Sequence, residues 1–173
     1  MSFSLYDALV PNWHQILGSV THWLDKAKAH CAERQLPDSA LVEARLYEDM
    51  LPFGFQVRST VTHSLGAIEG VRKGLFAPDR SPWPDSLAGL KDQVTQCLAT
   101  LSQIDPAEVN GFIGRDMRFE YGERRMDFTA ENFLLSFSQP NFFFHAVTAY
   151  DILRNQGLPV GKRDFMGNTR TKP

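Results

Sequence analysis

The amino-acid sequence predicts an all-α fold, a bundle of long amphipathic helices with one small β-hairpin between the third helix and the last. Three observations predict it. Apolar residues recur in alternating steps of three and four along the opening segment. The stretch "LFAPDRSPWPDS" interrupts two later stripes of the same kind with three prolines. "DMRFEYGERRMDF" switches to strand-like alternation on either side of a glycine.

In the first helix the stripe runs through Phe3, Tyr6, Val10, Trp13, Leu17, Val20, Leu24, Ala27 and Cys31. A repeat averaging about 3.5 residues keeps one face against its neighbours when helices cross at the shallow angle of bundles. Pro11 lacks an amide donor and its ring crowds the preceding turn, so a bend or restart is expected there. A second helix from Met50 repeats the stripe at Phe53, Val57, Thr60, Ser64, Ile68, Val71 and Leu75, softened by its two hydroxyl members. The third carries Leu87, Leu90, Val94, Cys97, Leu101 and Ile104. Cys31 and Cys97 both fall on seams, where cysteine serves as a small buried hydrophobe.

The hairpin closes on Gly122-Glu123, the glycine-first pair that suits a type II′ turn. That turn pairs Phe119 with Met126 and Met117 with Phe128 on one face, and Arg118 with Asp127 and Glu120 with Arg125 on the other. One face is apolar and one charge-matched, so the hairpin is expected to lie across an end of the bundle. Thr129 is an N-cap for a short helix from Ala130, Ser138 or Gln139 ahead of Pro140 allows a second start, and Gly157 ends the helix. The tail, residues 158–173, has turn formers and no periodicity, and is expected to pack loosely or fray.

A chain of 173 residues, 43% hydrophobic and 22% charged, suits a single domain over residues 1–173. With 18 basic and 20 acidic side chains the net charge is −2, and no segment concentrates lysine and arginine, so nucleic acid is not an expected partner. Asp7 stands where an export leader needs an apolar run. The longest uncharged run, Asn132 to Tyr150, contains Ser136, Ser138, Gln139, Pro140, Asn141 and His145, so it reads as a buried helix and no membrane partner is expected. Two cysteines without metal-knuckle spacing fit a reducing, cytoplasmic setting.

The candidate site residues come from the histidines. His14, His22 and His30 lie eight apart on the first helix, which rotates each about 80° from the last, so they cannot converge on one ion and belong to solvated or flanking positions. His145 falls in register with Phe142, Ala149 and Ile152, with Asn141 one turn before it. His63 follows Gln56 by seven residues, nearly the same angular position. Gln56 and His63 from the second helix, with Asn141 and His145 from the last, therefore point to one polar pocket at a bundle end. The alternative is a core histidine bonded to a neighbouring carbonyl, with Asn141 capping its helix. Amide oxygens are weak ligands for a transition ion, which prefers imidazole, thiolate or carboxylate.

Three stretches, "SLYDALVP", "EARLYEDMLPFGFQVRSTVTHS" and "PNFFFHAVTAYDILRNQGLPVGKRDFMG", resemble an uncharacterised bacterial family, a domain of unknown function within the DinB-like (YfiT-like) metalloenzyme superfamily. The resemblance spans nearly the whole chain. It implies a four-helix bundle of up-down-down-up course and a homodimer. In the superfamily, one histidine of the second helix and a His-x-x-x-His pair of the last bind a divalent ion, often zinc or nickel, and members with that triad include thiol-dependent transferases and isomerases. Carried across, the pair falls on Asn141 and His145 and the remaining ligand on Gln56, so two of three positions hold amides. His63 stands two turns further, about 10 Å along the axis, and is the less favoured stand-in.

Three functions follow from this pattern. One is a degenerate metal-site pocket that binds a small molecule without catalysis. A second is a divalent-metal-dependent thiol transferase or hydrolase, which needs a third strong ligand such as Glu48 or Asp49. A third is a dimeric scaffold or stress-associated protein in which Phe142, Phe143 and Phe144 bury a subunit interface.

Overall fold

The structure is a computed structural model and describes residues 3–172. It is mostly helical, with a small three-stranded sheet. Helix α1 (Leu5–Glu33) begins at Ser4, whose hydroxyl accepts from the Asp7 amide at 3.3 Å while the Asp7 carboxylate accepts from the Ser4 amide at 3.2 Å. This reciprocal cap satisfies two otherwise orphaned donors. Of the bend or restart expected at Pro11, the helix shows no restart and runs through the proline. The backbone there is supported by Asn12 Nδ2 at 2.7 Å and Gln139 Nε2 at 3.3 Å, both donating to the Ala8 carbonyl. Buried Val10 and Trp13 hold the flanking turns in the core. The expected stripe is buried from Val10 to Cys31, and Leu9, Ile16 and Trp23 widen it, whereas Phe3 is exposed.

After the short α2 (Ser39–Val42), the expected second helix is two: α3 (Phe53–Thr62) and α4 (Leu65–Lys73). No proline causes the break. Thr60, Thr62 and Ser64 each donate a hydroxyl back to a carbonyl three or four residues earlier, at 2.7, 3.2 and 2.7 Å, which competes with the helical ladder. Leu75 leaves the helical stripe altogether, because β1 (Leu75–Phe76) pairs in parallel with the first hairpin strand. Then come α5 (Leu87–Leu101) and α6 (Pro106–Asn110). Strands β2 (Asp116–Tyr121) and β3 (Arg124–Thr129) keep the expected register, Met117 opposite Phe128 and Phe119 opposite Met126, with Gly122 at φ +59° in the turn. The sheet order is β1-β2-β3, so the expected hairpin is the larger part of a sheet.

The chain then forms α7 (Ala130–Asn132), a π-helical turn over Phe133–Ser138, and α8 (Gln139–Asn155). Helix α8 starts at Gln139 with Ser138 in the N-cap position and Pro140 in its first turn, where a missing amide donor is tolerated; Ser138 keeps helical backbone angles, so α8 follows the π-helical turn without a break. Gly157, at φ +81°, closes α8: its amide donates to the Arg154 carbonyl and that of Leu158 to the Leu153 carbonyl, both at 3.0 Å. The tail packs onto the rest of the chain as far as Met166, and residues 167–172 beyond it are exposed. Leu158 and Val160 are buried, and α9 (Lys162–Met166) docks on α1 with Phe165 stacked on Trp23 at 5.6 Å.

Helix α1 packs along α5, α3 lies against α5 and α8, and α8 returns to α1. Trp13, Phe53, Phe133 and Phe142 are fully buried between them. Both cysteines are free and buried, and burial raises each thiol above its ordinary pKa. Among the described residues no helix is long and apolar enough to cross a membrane.

Candidate functional site

The candidate site lies where α3 faces α8. The turn entering α3 fixes Gln56, whose Nε2 donates to the Leu51 carbonyl at 2.8 Å. That bond aims Oε1 at α8, where it lies 2.7 Å from Nδ1 of His145. Because the amide oxygen can only accept, Nδ1 of His145 must donate, and Nε2 keeps a bare lone pair. His63, the residue closing α3, is set by the π-helical turn: Ser138 Oγ donates to the His63 carbonyl at 3.1 Å and lies 3.3 Å from His63 Nδ1. With its proton committed to the carbonyl, Ser138 Oγ accepts from Nδ1, and His63 likewise keeps a bare Nε2.

The two imidazoles are 5.6 Å apart between centroids and inclined by 16°. Both are neutral at physiological pH. Burial lowers His145 to about 4, and burial together with the neighbouring His145 lowers His63 to about 3. Aromatic rings wall the pair: Phe55 at 5.8 Å and Phe144 at 5.3 Å from His145, Phe76 at 5.5 Å and Phe137 at 6.1 Å from His63. Beside Phe55, the guanidinium of Arg58 sits 5.1 Å over its ring and 5.9 Å from that of Trp83, and donates to the Ser81 carbonyl. Arg58 is buried, with Nε unpartnered among the described residues. Chemically, the arrangement presents two neutral hydrogen-bond acceptors in an apolar setting, with a cation close by.

A family model described as a domain of unknown function (DUF1993) matches residues 5–166. The chain belongs to that family. The crystal structure, at 1.83 Å resolution, of a DinB family member protein from Shewanella denitrificans aligns with a TM-score of 0.80 at 24% identity, over 98% of this chain and 95% of that one. At that identity the likeness establishes a shared fold. No curated protein matches the chain.

In this DUF1993 member the sequence candidates separate. Gln56 and His145 meet directly, and His63 joins them from the end of α3. Asn141 does not: its Nδ2 donates to the Phe137 carbonyl at 2.7 Å, back along its own helix. Glu48 and Asp49 are exposed on the loop before α3. The three-ligand set implied by the superfamily therefore does not fit, since one amide oxygen already serves His145 and the other amide is engaged with its own helix. Among the described residues no group of three or more His, Cys, Asp or Glu side chains is placed to hold a metal ion. Of the other histidines, His14 and His22 are exposed as expected, whereas His30 is buried. Phe55, Arg58, Phe76 and Trp83 escaped sequence reading. The one available signal was Arg58 standing three residues after Phe55 in an otherwise uncharged helix.

Proposed function

We propose that this DUF1993 chain binds a small, flat organic molecule at the Gln56–His145 face, without a resident metal and without a covalent step. The observation that carries this reading is the chain of contacts from the Leu51 carbonyl through Gln56 to His145 Nδ1, at 2.8 and 2.7 Å. It commits His145 to one tautomer and leaves Nε2 as an acceptor among aromatic rings. The matching ligand has an apolar ring and one N–H or O–H donor, because Nε2 of a neutral His145 accepts a hydrogen bond and an aromatic wall favours a planar partner. In this reading the bundle follows the up-down-down-up course, with α1, α3 continued by α4, α5 and α8 as its four rods. The protein is cytoplasmic, and exposed Phe144 and Val147, three residues apart on α8, support a homodimer contact. A monomer in sedimentation equilibrium would end the dimer reading.

The test is metal content by mass spectrometry on untagged protein, before and after dialysis against zinc or nickel, together with titration of phenol followed by amide NMR. The expected result is no stoichiometric metal and a phenol site that weakens at least tenfold in His145→Ala, the loss of one buried hydrogen bond with its packing. Stoichiometric metal that His145→Ala loses would replace this reading with the metal-dependent thiol transferase or hydrolase.

A further inference from the structure

A cavity of ≈ 840 Å³, sharing no lining residue with the first site, opens between α1, the end of α5 and the C-terminal residues 163–170. Its charge is one-sided. Among the described residues Arg170 is held by neutral acceptors: Nη1 donates to the Pro11 carbonyl at 2.8 Å and to Gln15 Oε1 at 3.2 Å, and Nη2 to Asn12 Oδ1 at 2.7 Å. These bonds orient the guanidinium without neutralising it, and they use three of about five N–H donors, leaving two free. Arg163 also lines the cavity and has no carboxylate partner among the described residues. Among the described residues the lining holds one carboxylate, Asp164, which is already engaged by Lys26 at 2.7 Å, His22 at 3.1 Å and the Gly161 amide at 2.7 Å. The cavity thus keeps two unbalanced guanidinium charges on a chain whose net charge is −2.

Two glycines shape it. At Gly167, φ is +58° and an added Cβ would collide with Ser19 Oγ, so glycine lets the C-terminal segment close onto α1. Gly18 lies inside α1, where glycine weakens a helix, yet an added Cβ there meets nothing within 4 Å. Packing does not require that glycine, and its bare backbone forms part of the cavity lining. Val10, Pro11 and Leu101 supply an apolar wall beside it.

We propose that this cavity is a second ligand site, independent of the first, for a small organic oxyanion, a carboxylate or phosphate monoester on a short apolar body, held by Arg163 and Arg170. Guanidinium groups pair with such oxyanions through parallel N–H bonds, and a partly enclosed site screens that attraction less than open solvent does. The experiment titrates benzoate, phenyl phosphate and the neutral analogue benzyl alcohol into the full chain and follows amide NMR shifts. Either or both anions are expected to bind at millimolar concentrations and move Gly18, Gly167 and Arg170, with benzyl alcohol inert. The stronger anion identifies the headgroup. Gly18→Leu fills the cavity from a position with room for it, and is expected to weaken anion binding at least tenfold with an unchanged or higher melting temperature. Arg163→Gln, which breaks no side-chain bond among the described residues, is expected to cost about tenfold. Anion binding of wild-type strength in Gly18→Leu, equal binding of benzyl alcohol, or no anion binding at millimolar concentrations would each overturn the proposal.

Discussion

Between α3 and α8, His63 and His145 are shut among aromatic rings with a hydroxyl and an amide for partners. On the outer side of α1, His22, with its side chain 55% exposed, shares the Asp164 carboxylate with Lys26. The difference teaches how burial selects the partner. A carboxylate beside the inner pair would have to shed its water as well, and that cost commonly exceeds the attraction gained. A neutral acceptor meets the imidazole N–H without importing charge. In water an ion pair costs little to form and contributes little alone. The outer region is held by several contacts together: Asp164 binds several donors at once, and Trp23 donates to the Asp164 carbonyl at 3.0 Å and stacks on Phe165.

The comparison breaks most sharply at Trp23, which is fully buried and is the apolar anchor of the outer region. Trp23→Ala is expected to cost about 3–5 kcal/mol and to release amide-exchange protection over residues 162–166. A loss confined to exchange, with global stability kept, would show that the C-terminal segment docks as a separate unit. The next largest effect is in pH. His63 and His145 titrate near 3 and 4 in the folded chain and at about 6.5 when unfolded, so the unfolded state binds more protons between these values. Stability is therefore complete above about pH 6.5 and falls as pH drops toward 4, by up to about 1.4 kcal/mol per pH unit for each histidine. Chemical denaturation of the wild type and of His63→Phe across that window is the check, and an equal slope in both would remove His63 from the buried pair.

The smallest effect belongs to Asp164. Lys26, ahead of the Gly161 amide, lowers its carboxyl to about 2, so its stabilisation is present above the ordinary carboxylate range and lost as pH falls toward 2. With the side chain 20% exposed, Asp164→Asn is expected to cost about 1 kcal/mol at neutral pH, and the deficit should shrink on acidification. A deficit independent of pH would mean that the charge is idle and that only the Gly161 cap matters.

Much of this was legible in sequence because it depends on near neighbours. The hairpin register follows from one glycine-first turn and alternation on either side, and every expected pair is met. The Gly157 stop and the α1 stripe likewise depend on local backbone geometry and a helical period. Of the candidate site, the meeting of Gln56 with His145 was foreseeable from the two helix faces. His63 shares an angular position with Gln56 and was a candidate for the same pocket, but the less favoured one, because along a straight helix it stands two turns further on. A side chain has length and direction that residue spacing omits, and the His145 ring lies within reach of both.

What local pattern could not supply was long-range pairing. The parallel bond between Leu75 and the hairpin strand joins residues more than forty positions apart, and the docking of α9 joins the two ends of the chain. Turn formers and basic residues read as a frayed tail until Trp23 and Lys26 provide the surface that receives them, and Gly167 lets the segment close onto Ser19. Periodicity and turn chemistry act over a few residues and are carried by the sequence directly. The neutral histidine pair and the cationic cavity arise where separate helices exclude or admit water, a property of the packed molecule rather than of any one segment.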